Sequence, residues 1–325
     1  VGKSVLVAGG GGFIGGHLAK RLIERGERVR VADIKPLDEW YQVHEDAENQ
    51  QADLSLLDEA RQATRGIDEV YNLAADMGGM GFIETHKALC MLSVLINTHL
   101  LMGAREAGVK RYFFASSACV YAADKQTEFT NPGLREEDAY PAMPEDGYGW
   151  EKLFSERMCR HFHEDFGMAT RVGRYHNVYG PFGTYDGGRE KAPAAICRKV
   201  IAAKLSGIHE IEIWGDGNQY RSFMYIDDCT EGTIDLMASD ITEPLNIGSS
   251  EGVSINQLVD IVEEIAGVKL ERRYKLDAPK GVNGRSSDNT LIQRLMGWAP
   301  SIPLRVGMEH TYRWIYDQMT AKAPA

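Results

Sequence analysis

KSVLVAGGGGFIGGHLAKRLIERGERVRVAD, residues 3–33, decides the fold. KSVLVAG (3–9) is an unbroken apolar run that ends in glycine, as a strand buried on both faces does. GGGGFIGG (9–16) follows, and then HLAKRLIERG, an amphipathic helix closed by Gly26. ERVRVAD (27–33) is a second strand with Asp33 at its end. Gly9, Gly12 and Gly15 have GxxGxxG spacing: Gly9 for the tight turn, Gly12 for close approach of backbone to a pyrophosphate, Gly15 for helix packing. The first helical turn, with Phe13 and Ile14, offers N–H groups and a positive dipole to the same anion. Asp33 lies 18 residues after Gly15, where it can accept from a ribose 2′-hydroxyl. It would repel a 2′-phosphate, so the expected dinucleotide is NAD; Lys35 nearby pulls the other way.

Further α/β units follow. DEVYNLAA (68–75) reads as a strand, a helix is expected over about 86–107, and RYFFASS (111–117) as another strand. Asp53, in QADLSLLD, either reads an adenine ring or caps the helix that begins in LSLLDEAR. DGYGWEKLFSERMCRHF (146–162) is a helix in which Tyr148 and Lys152 are four residues apart and share a face. A tyrosine beside an ammonium and an oxidised nicotinamide can take a hydroxyl proton as hydride leaves, and return it later. Ser117, at the end of its strand, can bind the same substrate oxygen.

The chain of 325 residues is long enough for a full core and two lobes. A formal net charge of −11 argues against a nucleic-acid surface, which needs basic stripes. The longest apolar runs read as short of a membrane span, and the opening residues pass straight into a strand, so neither membrane nor targeting segment is expected. The five cysteines, Cys90, Cys119, Cys159, Cys197 and Cys229, are scattered without CxxC or Cys/His spacing. They are expected to be free thiols in a cytoplasmic protein with no metal site.

The turn-rich run YGPFGTYDGGRE (179–190) marks the exit from the first domain. KAPAAICRKVIAAKL (191–205) reads as a helix with Pro193 in its first turn, and SINQLVDIVEEIAG (254–267) as another. The expected architecture is α/β, a Rossmann-type doubly wound parallel sheet with a smaller C-terminal α/β substrate-binding domain. The dinucleotide domain spans 1–178, with 222–246 returning to it; 179–221 and 247–325 form the substrate domain.

The glycine loop, NLAA (72–75), SSACVY (116–121), Tyr148-x-x-x-Lys152, WGDGNQYRSFMYIDD (214–228) and PLNIGSS (244–250) together resemble the extended short-chain dehydrogenase/reductase superfamily, whose members act mostly on nucleotide sugars. NLAADMGGMGFI (72–83), ASSACVY (115–121), GRYHNVYGPFG (173–183), GGREKAPAAICRK (187–199) and GRSSDN (284–289) are similar, more specifically, to the family of GDP-mannose 3,5-epimerases.

That resemblance implies C4 oxidation by bound NAD, which acidifies the C3 and C5 hydrogens of GDP-mannose. Cys119 would be the base and Lys191 the opposed acid, giving GDP-L-galactose and GDP-L-gulose. NAD and Lys152 are expected to lower the Cys119 thiol's pKa. Tyr148, Lys152 and Ser117 carry the redox step, and Asp53, Leu54 and Ala74 complete the cofactor set. Gly78, Asn177, Glu190, Lys199, Gln219, Arg221, Ser222 and Arg285 line the sugar-nucleotide side with Ser117, Cys119 and Lys191, and Arg221, Arg285 and Lys199 are the candidate cations for a pyrophosphate. Asn283 stands where the resemblance leads one to expect a second basic residue. His176 reads as a structural histidine or a substrate contact. The helices over 86–107 and 147–165 would pair in a homodimer. The alternatives are a 4-epimerase or 4,6-dehydratase of the same superfamily, or a non-catalytic dinucleotide-binding regulator; Cys119 and Lys191 have no task in a 4-epimerase.

Overall fold

The computed structural model describes residues 2–129, 133–278 and 281–321. Six strands alternate with helices through the first half of the chain: β1 (Ser4–Ala8), β2 (Arg28–Asp33), β3 (Glu48–Gln51), β4 (Glu69–Asn72), β5 (Arg111–Ser117) and β6 (Ala169–Tyr175). With Leu245–Ile247 they make a seven-stranded sheet in the order Leu245–Ile247, β6, β5, β4, β1, β2, β3. Every pairing in it is parallel. Side chains alternate across a strand, so β1 feeds two cores. Val5 and Val7 pack with Leu18, Val31 and Phe113 on one face. Leu6 and Ala8 pack with Val70, Leu100 and Phe114 on the other. Helices cover both faces, which is why β1 and β4 are almost wholly buried, while the edge strand β3, Glu48–Gln51, is polar and partly exposed.

Strand order reverses between β1 and β4, and the loops leaving their carboxyl ends open a crevice there. The helix Phe13–Glu24 follows β1, and Asp146–Phe166 precedes β6. The helix expected over 86–107 is two segments, Lys87–Leu92 and Val94–Ala107, hinged at Ser93. The Ser93 hydroxyl accepts from the Asp76 N–H at 2.9 Å, which ties the hinge to the loop after β4. One point departs from the sequence reading. Among the described residues, Lys87–Ala107 is long and apolar enough to cross a membrane by length and composition. It lies against the helices Leu57–Thr64 and Asp146–Phe166.

The chain leaves the sheet after Tyr175, pairs Val178–Tyr179 with Met224–Tyr225 in a separate two-stranded ribbon, returns through the helix Ile226–Ala238 and the strand Leu245–Ile247, and leaves again. The departing segments build a smaller lobe. Its helices include Ala192–Ser206, with proline in the first turn, and Ile255–Ala266, with a Ser254–Gln257 capping box. Two small sheets complete it: Glu210–Trp214 with Glu271–Lys275, and Tyr220–Ser222 between Gly252–Ser254 and Gly284–Arg285.

β5, β6 and the helix Asp146–Phe166 meet around a buried ion pair. Arg174 donates to both oxygens of Glu156, at 2.9 and 2.7 Å, and Ser116 donates to the same carboxylate at 2.5 Å. Arg174 also donates to the Glu136 carbonyl at 2.8 Å. Both charges are almost fully buried. Removing one partner leaves the other charged and dry, so Glu156→Ala is expected to lower stability by about 3 kcal/mol or more. Denaturant unfolding checks it, with the midpoint falling at an unchanged slope.

Candidate active site

The glycine loop is set by close approaches. Gly9 has φ +80°, and a Cβ on it would meet the Ala74 N at 2.7 Å. A Cβ on Gly15 would lie 2.3 Å from the Gly9 carbonyl oxygen. Gly12 is the N-cap of the helix Phe13–Glu24, with no side-chain cap and no acidic residue in the first turn. The first-turn N–H groups of Phe13, Ile14 and Gly15 are therefore left for an anion. Gly12 itself has only one neighbour, the Gly9 oxygen at 3.2 Å, near its missing Cβ. The cradle fits a dinucleotide pyrophosphate. Asp33 ends β2, buried, and accepts from the Lys35 N–H at 3.1 Å. Lys35 curls back so that its ammonium donates to the Gly11 carbonyl at 3.3 Å. Asp53 uses Oδ1 for a turn, accepting from the Ser55 N–H and hydroxyl at 3.0 and 2.6 Å. Leu54 beside it is buried.

At the carboxyl end of β5 the chain turns through a short 3-10 segment, Ala118–Val120. Ser117 accepts from the Cys119 N–H at 3.2 Å and lies in hydrogen-bonding reach of the Tyr148 phenol. Cys119 and Tyr148 pack with Phe82, Ile83 and Cys90. Cys90 thus belongs to the wall of the site. Lys152 is buried, its ammonium 4.7 Å over the Phe114 ring, 5.5 Å from the Tyr148 ring and 3.6 Å from Glu151 Oε2.

Two electrostatic expectations change here. Lys152 does not bring the Tyr148 phenol down: burial, with the Cys119 and Glu151 charges, pushes it well above the ordinary tyrosine value. Glu151, directly before Lys152 in sequence, meets the ammonium. Nor is Lys152 the cation at Cys119. That cation is Arg285, whose Nη1 is 3.6 Å from Sγ. Burial, joined by the Glu145 charge, outweighs it and pushes the thiol up to about 11.

Lys191 immediately precedes the helix Ala192–Ser206, as its N-cap. Burial draws its ammonium below the ordinary lysine value, and the Cys119 charge acts in the opposite sense. The loop that carries it is strapped to the loop after β4. Arg189 donates to Asp76 Oδ1 at 2.9 Å and to the Met77 carbonyl at 3.2 Å, and its carbonyl accepts from Gly79 at 3.0 Å. The strap brings buried Gly78 to the Lys191 loop. Glu190 accepts from the Gly188 N–H at 2.7 Å and from Arg198 at 3.3 Å.

The smaller lobe and the segment that leads into it supply the other candidates. Asn177, with φ +44°, donates to the Ser222 carbonyl at 2.9 Å. The Ser222 hydroxyl accepts from the Ser287 N–H at 3.3 Å. Gln219 is buried, donates to the Trp214 carbonyl at 3.2 Å, and leaves Oε1 without a partner among the described residues. Lys199 donates to the Glu212 carbonyl at 2.9 Å, beside the Trp214 ring. Arg221 donates to the carbonyls of Tyr220 at 2.8 Å and Val282 at 2.5 Å, and burial brings its guanidinium down to about 10. Arg285 donates to Gln126 and to Glu145, each at 2.6 Å. Both arginines are thus held by protein groups. Asn283 points its side chain at the Thr127 carbonyl, 2.8 Å away. His176 is buried and donates from Nε2 to Asn246 at 2.8 Å, while burial draws its ring down to about 3. It is a neutral histidine anchored to the strand beside β6. Among the described residues no His/Cys/Asp/Glu group is arranged to hold a metal.

Glu145, Gln126, Glu151 and Arg189 are the site's contributors that the sequence reading missed. Only Glu151 carried a local signal, as the neighbour of Lys152.

The comparisons with known proteins agree with this geometry. Residues 5–248 match the model of the NAD dependent epimerase/dehydratase family. The chain is 47% identical to GDP-mannose 3,5-epimerase 1 of Oryza sativa subsp. japonica, over 97% of this chain and 82% of that one. It is 46% identical to the GDP-mannose 3,5-epimerase of Arabidopsis thaliana with the same coverage. Its structure is similar to that of the UDP-glucose 4-epimerase of Thermotoga maritima with UDP-glucose, with a TM-score of 0.85, 25% identity, and 97% and 99% of the two chains covered.

Gly15→Ala puts a methyl group against the Gly9 carbonyl in the tightest part of the cradle. The overpacking is expected to cost about 1–3 kcal/mol and to spread the loop. Dinucleotide released from the denatured purified protein, quantified by chromatography, should fall at least several-fold.

Proposed function

The chain belongs to the NAD dependent epimerase/dehydratase family, and on that premise we propose that it is a GDP-mannose 3,5-epimerase. It is an isomerase with NAD as its cofactor. One observation carries the finer reading. Cys119 packs against Tyr148 of the Tyr148–Lys152 pair, which serves redox chemistry at a hydroxyl, and its charge acts in turn on the buried ammonium of Lys191, so two more proton-handling groups are at hand.

NAD, held by Gly9, Gly12, Phe13, Ile14, Gly15 and Asp33, supplies the hydride acceptor and donor for C4. Tyr148 takes the C4 hydroxyl proton, with Ser117 holding the same oxygen and Lys152 fixing the cofactor side. The ketone acidifies the hydrogens at C3 and C5. Cys119, as thiolate, removes a proton from one face of the ring, and Lys191 delivers one to the other. An ammonium whose pKa is drawn toward neutrality suits that task. Tyr148 returns its proton when C4 is reduced, so there is no net redox. Inversion at C5 and C3 gives GDP-L-galactose; inversion at C5 alone gives GDP-L-gulose. Lys199, Gln219, Arg221 and Arg285 form the polar wall of the smaller lobe, suited to the nucleotide.

We also propose a homodimer. Leu89, Met91, Leu92 and Leu95, with Trp150 and Phe154 on the neighbouring helix, are exposed large apolar side chains. Two copies joined there would bury them in a four-helix contact. Five free cysteines suit a reducing, cytoplasmic setting.

Incubation with GDP-mannose in D₂O, with deuterium located by NMR in the recovered sugar, tests the reaction. Label is expected at both C3 and C5, and Cys119→Ser should suppress it at least about a hundred-fold, as loss of a general base does. Absence of label at either carbon, with NAD bound, would sink the assignment. Trp150→Glu is expected to halve the mass seen by sedimentation; an unchanged mass would remove this face from the dimer.

A further inference from the structure

Cys119 has charges of both signs around it. Arg285 approaches from the strand Gly284–Arg285, with Nη1 3.6 Å from the sulfur. The same guanidinium sets Nη2 2.6 Å from Glu145 Oε1 and Nε 2.6 Å from Gln126 Oε1. Glu145 is the residue before the helix Asp146–Phe166, and its N–H donates to the Cys119 carbonyl at 3.0 Å. Its second oxygen, Oε2, is buried with no nitrogen or oxygen donor among the described residues. The Cys119 thiol lies beside that carboxylate. Glu145 also lines a cavity of about 440 Å³ with Ile83, Glu84, Lys87, Asp146, Gly281 and Val282. Lys87 and Asp146 pair with each other across it. The Cys119 charge is also felt by Lys191, Arg221 and Tyr148.

One guanidinium thus stands between two acids, a carboxyl and a thiol. We propose that Glu145 is a positioning residue that keeps Cys119 a neutral thiol, by neutralising the Arg285 charge that would otherwise hold a thiolate. The proposal rests on the reading that Cys119 is the working base. A carboxyl is several units more acidic than a thiol, so the single negative charge this cluster sustains settles on Glu145. Burial alone would raise the Glu145 carboxyl; the Arg285 charge and hydrogen bonds from Cys119 and Arg285 hold it below its ordinary value. Thiolate and carboxylate repel if both ionise, and Arg285 meets the carboxylate at the shorter distance, 2.6 Å through one oxygen against 3.6 Å to the sulfur. The resting site therefore exposes no free thiolate to oxidation or alkylation. Ionising Cys119 requires the guanidinium to shift from oxygen toward sulfur, or a further cation to arrive.

Thiolate absorbance near 240 nm tests this on the purified holoprotein. It is titrated upward from neutral pH and taken as the difference from the same protein carrying Cys119→Ser. Glu145→Gln removes the charge and keeps the shape. Its midpoint is expected to fall by at least about one unit, with about ten-fold more thiolate at pH ~8. Glu145→Asp, which draws the charge back by one methylene, should fall between wild type and Glu145→Gln. An unmoved or raised midpoint in Glu145→Gln, even with a changed melting temperature, overturns the proposal. If Glu145→Gln does not fold, Glu145→Asp decides: a lowered midpoint supports the proposal, and an unmoved one overturns it. The readout is the thiol itself. A shifted midpoint with no isotope incorporation would refute the epimerase reading alone, and incorporation with an unmoved midpoint would refute the Glu145 role alone.

Discussion

Glu156 is the residue on which the site's alignment depends. Its carboxylate takes Ser116 from β5 and both arms of Arg174 from β6, while its backbone belongs to the helix of Tyr148 and Lys152. Three elements that carry or flank Ser117, Cys119, Tyr148 and Lys152 are pinned at one point, away from water. Ser117 and Cys119 follow Ser116 directly, so their place relative to Tyr148 is inherited from this junction. Such a pair gives specificity of arrangement more than net stability, because desolvation offsets most of its attraction. What it excludes is sliding of the helix along the sheet, which would separate the phenol from the hydroxyl it must share.

The same economy governs charge nearer the reaction. Lys152 is met by Glu151, Arg285 by Glu145 and Gln126, and Arg221 by backbone carbonyls. A buried cation without such partners would be costly. The consequence is that the protein by itself leaves both Tyr148 and Cys119 protonated, and Lys191 easier to discharge than a surface lysine. Proton transfer at this site is therefore set by how ligands rearrange paired charges.

Local patterns in the sequence carried the parallel sheet, the glycine cradle and the Tyr–Lys helix, since each depends on residues within a turn or two of one another. The glycines are legible because their constraint is steric and short-range: Gly15 must clear the carbonyl of Gly9. The break at Ser93 was not legible, because it answers to a contact with Asp76 in another loop. Arg285 could be singled out as a cation, yet its partners Glu145 and Gln126 lie 140 and 159 residues away. No periodicity spans that distance. The ionisation of Cys119 was misjudged for the same reason, as burial and remote charges decide it. Family resemblance bridged part of this gap by pointing to Cys119 and Lys191 together.

The path of the chain through its two lobes has a last consequence. The backbone departs from the sheet after Tyr175, comes back for the helix Ile226–Ala238 and the edge strand Leu245–Ile247, and departs again. The smaller lobe is thus threaded through its neighbour rather than appended to it. No single cut releases it, and no single crossover between genes can exchange it whole. Exchanging the lobe whole would need three joins in the chain, one at each departure from the sheet and one at the return between them.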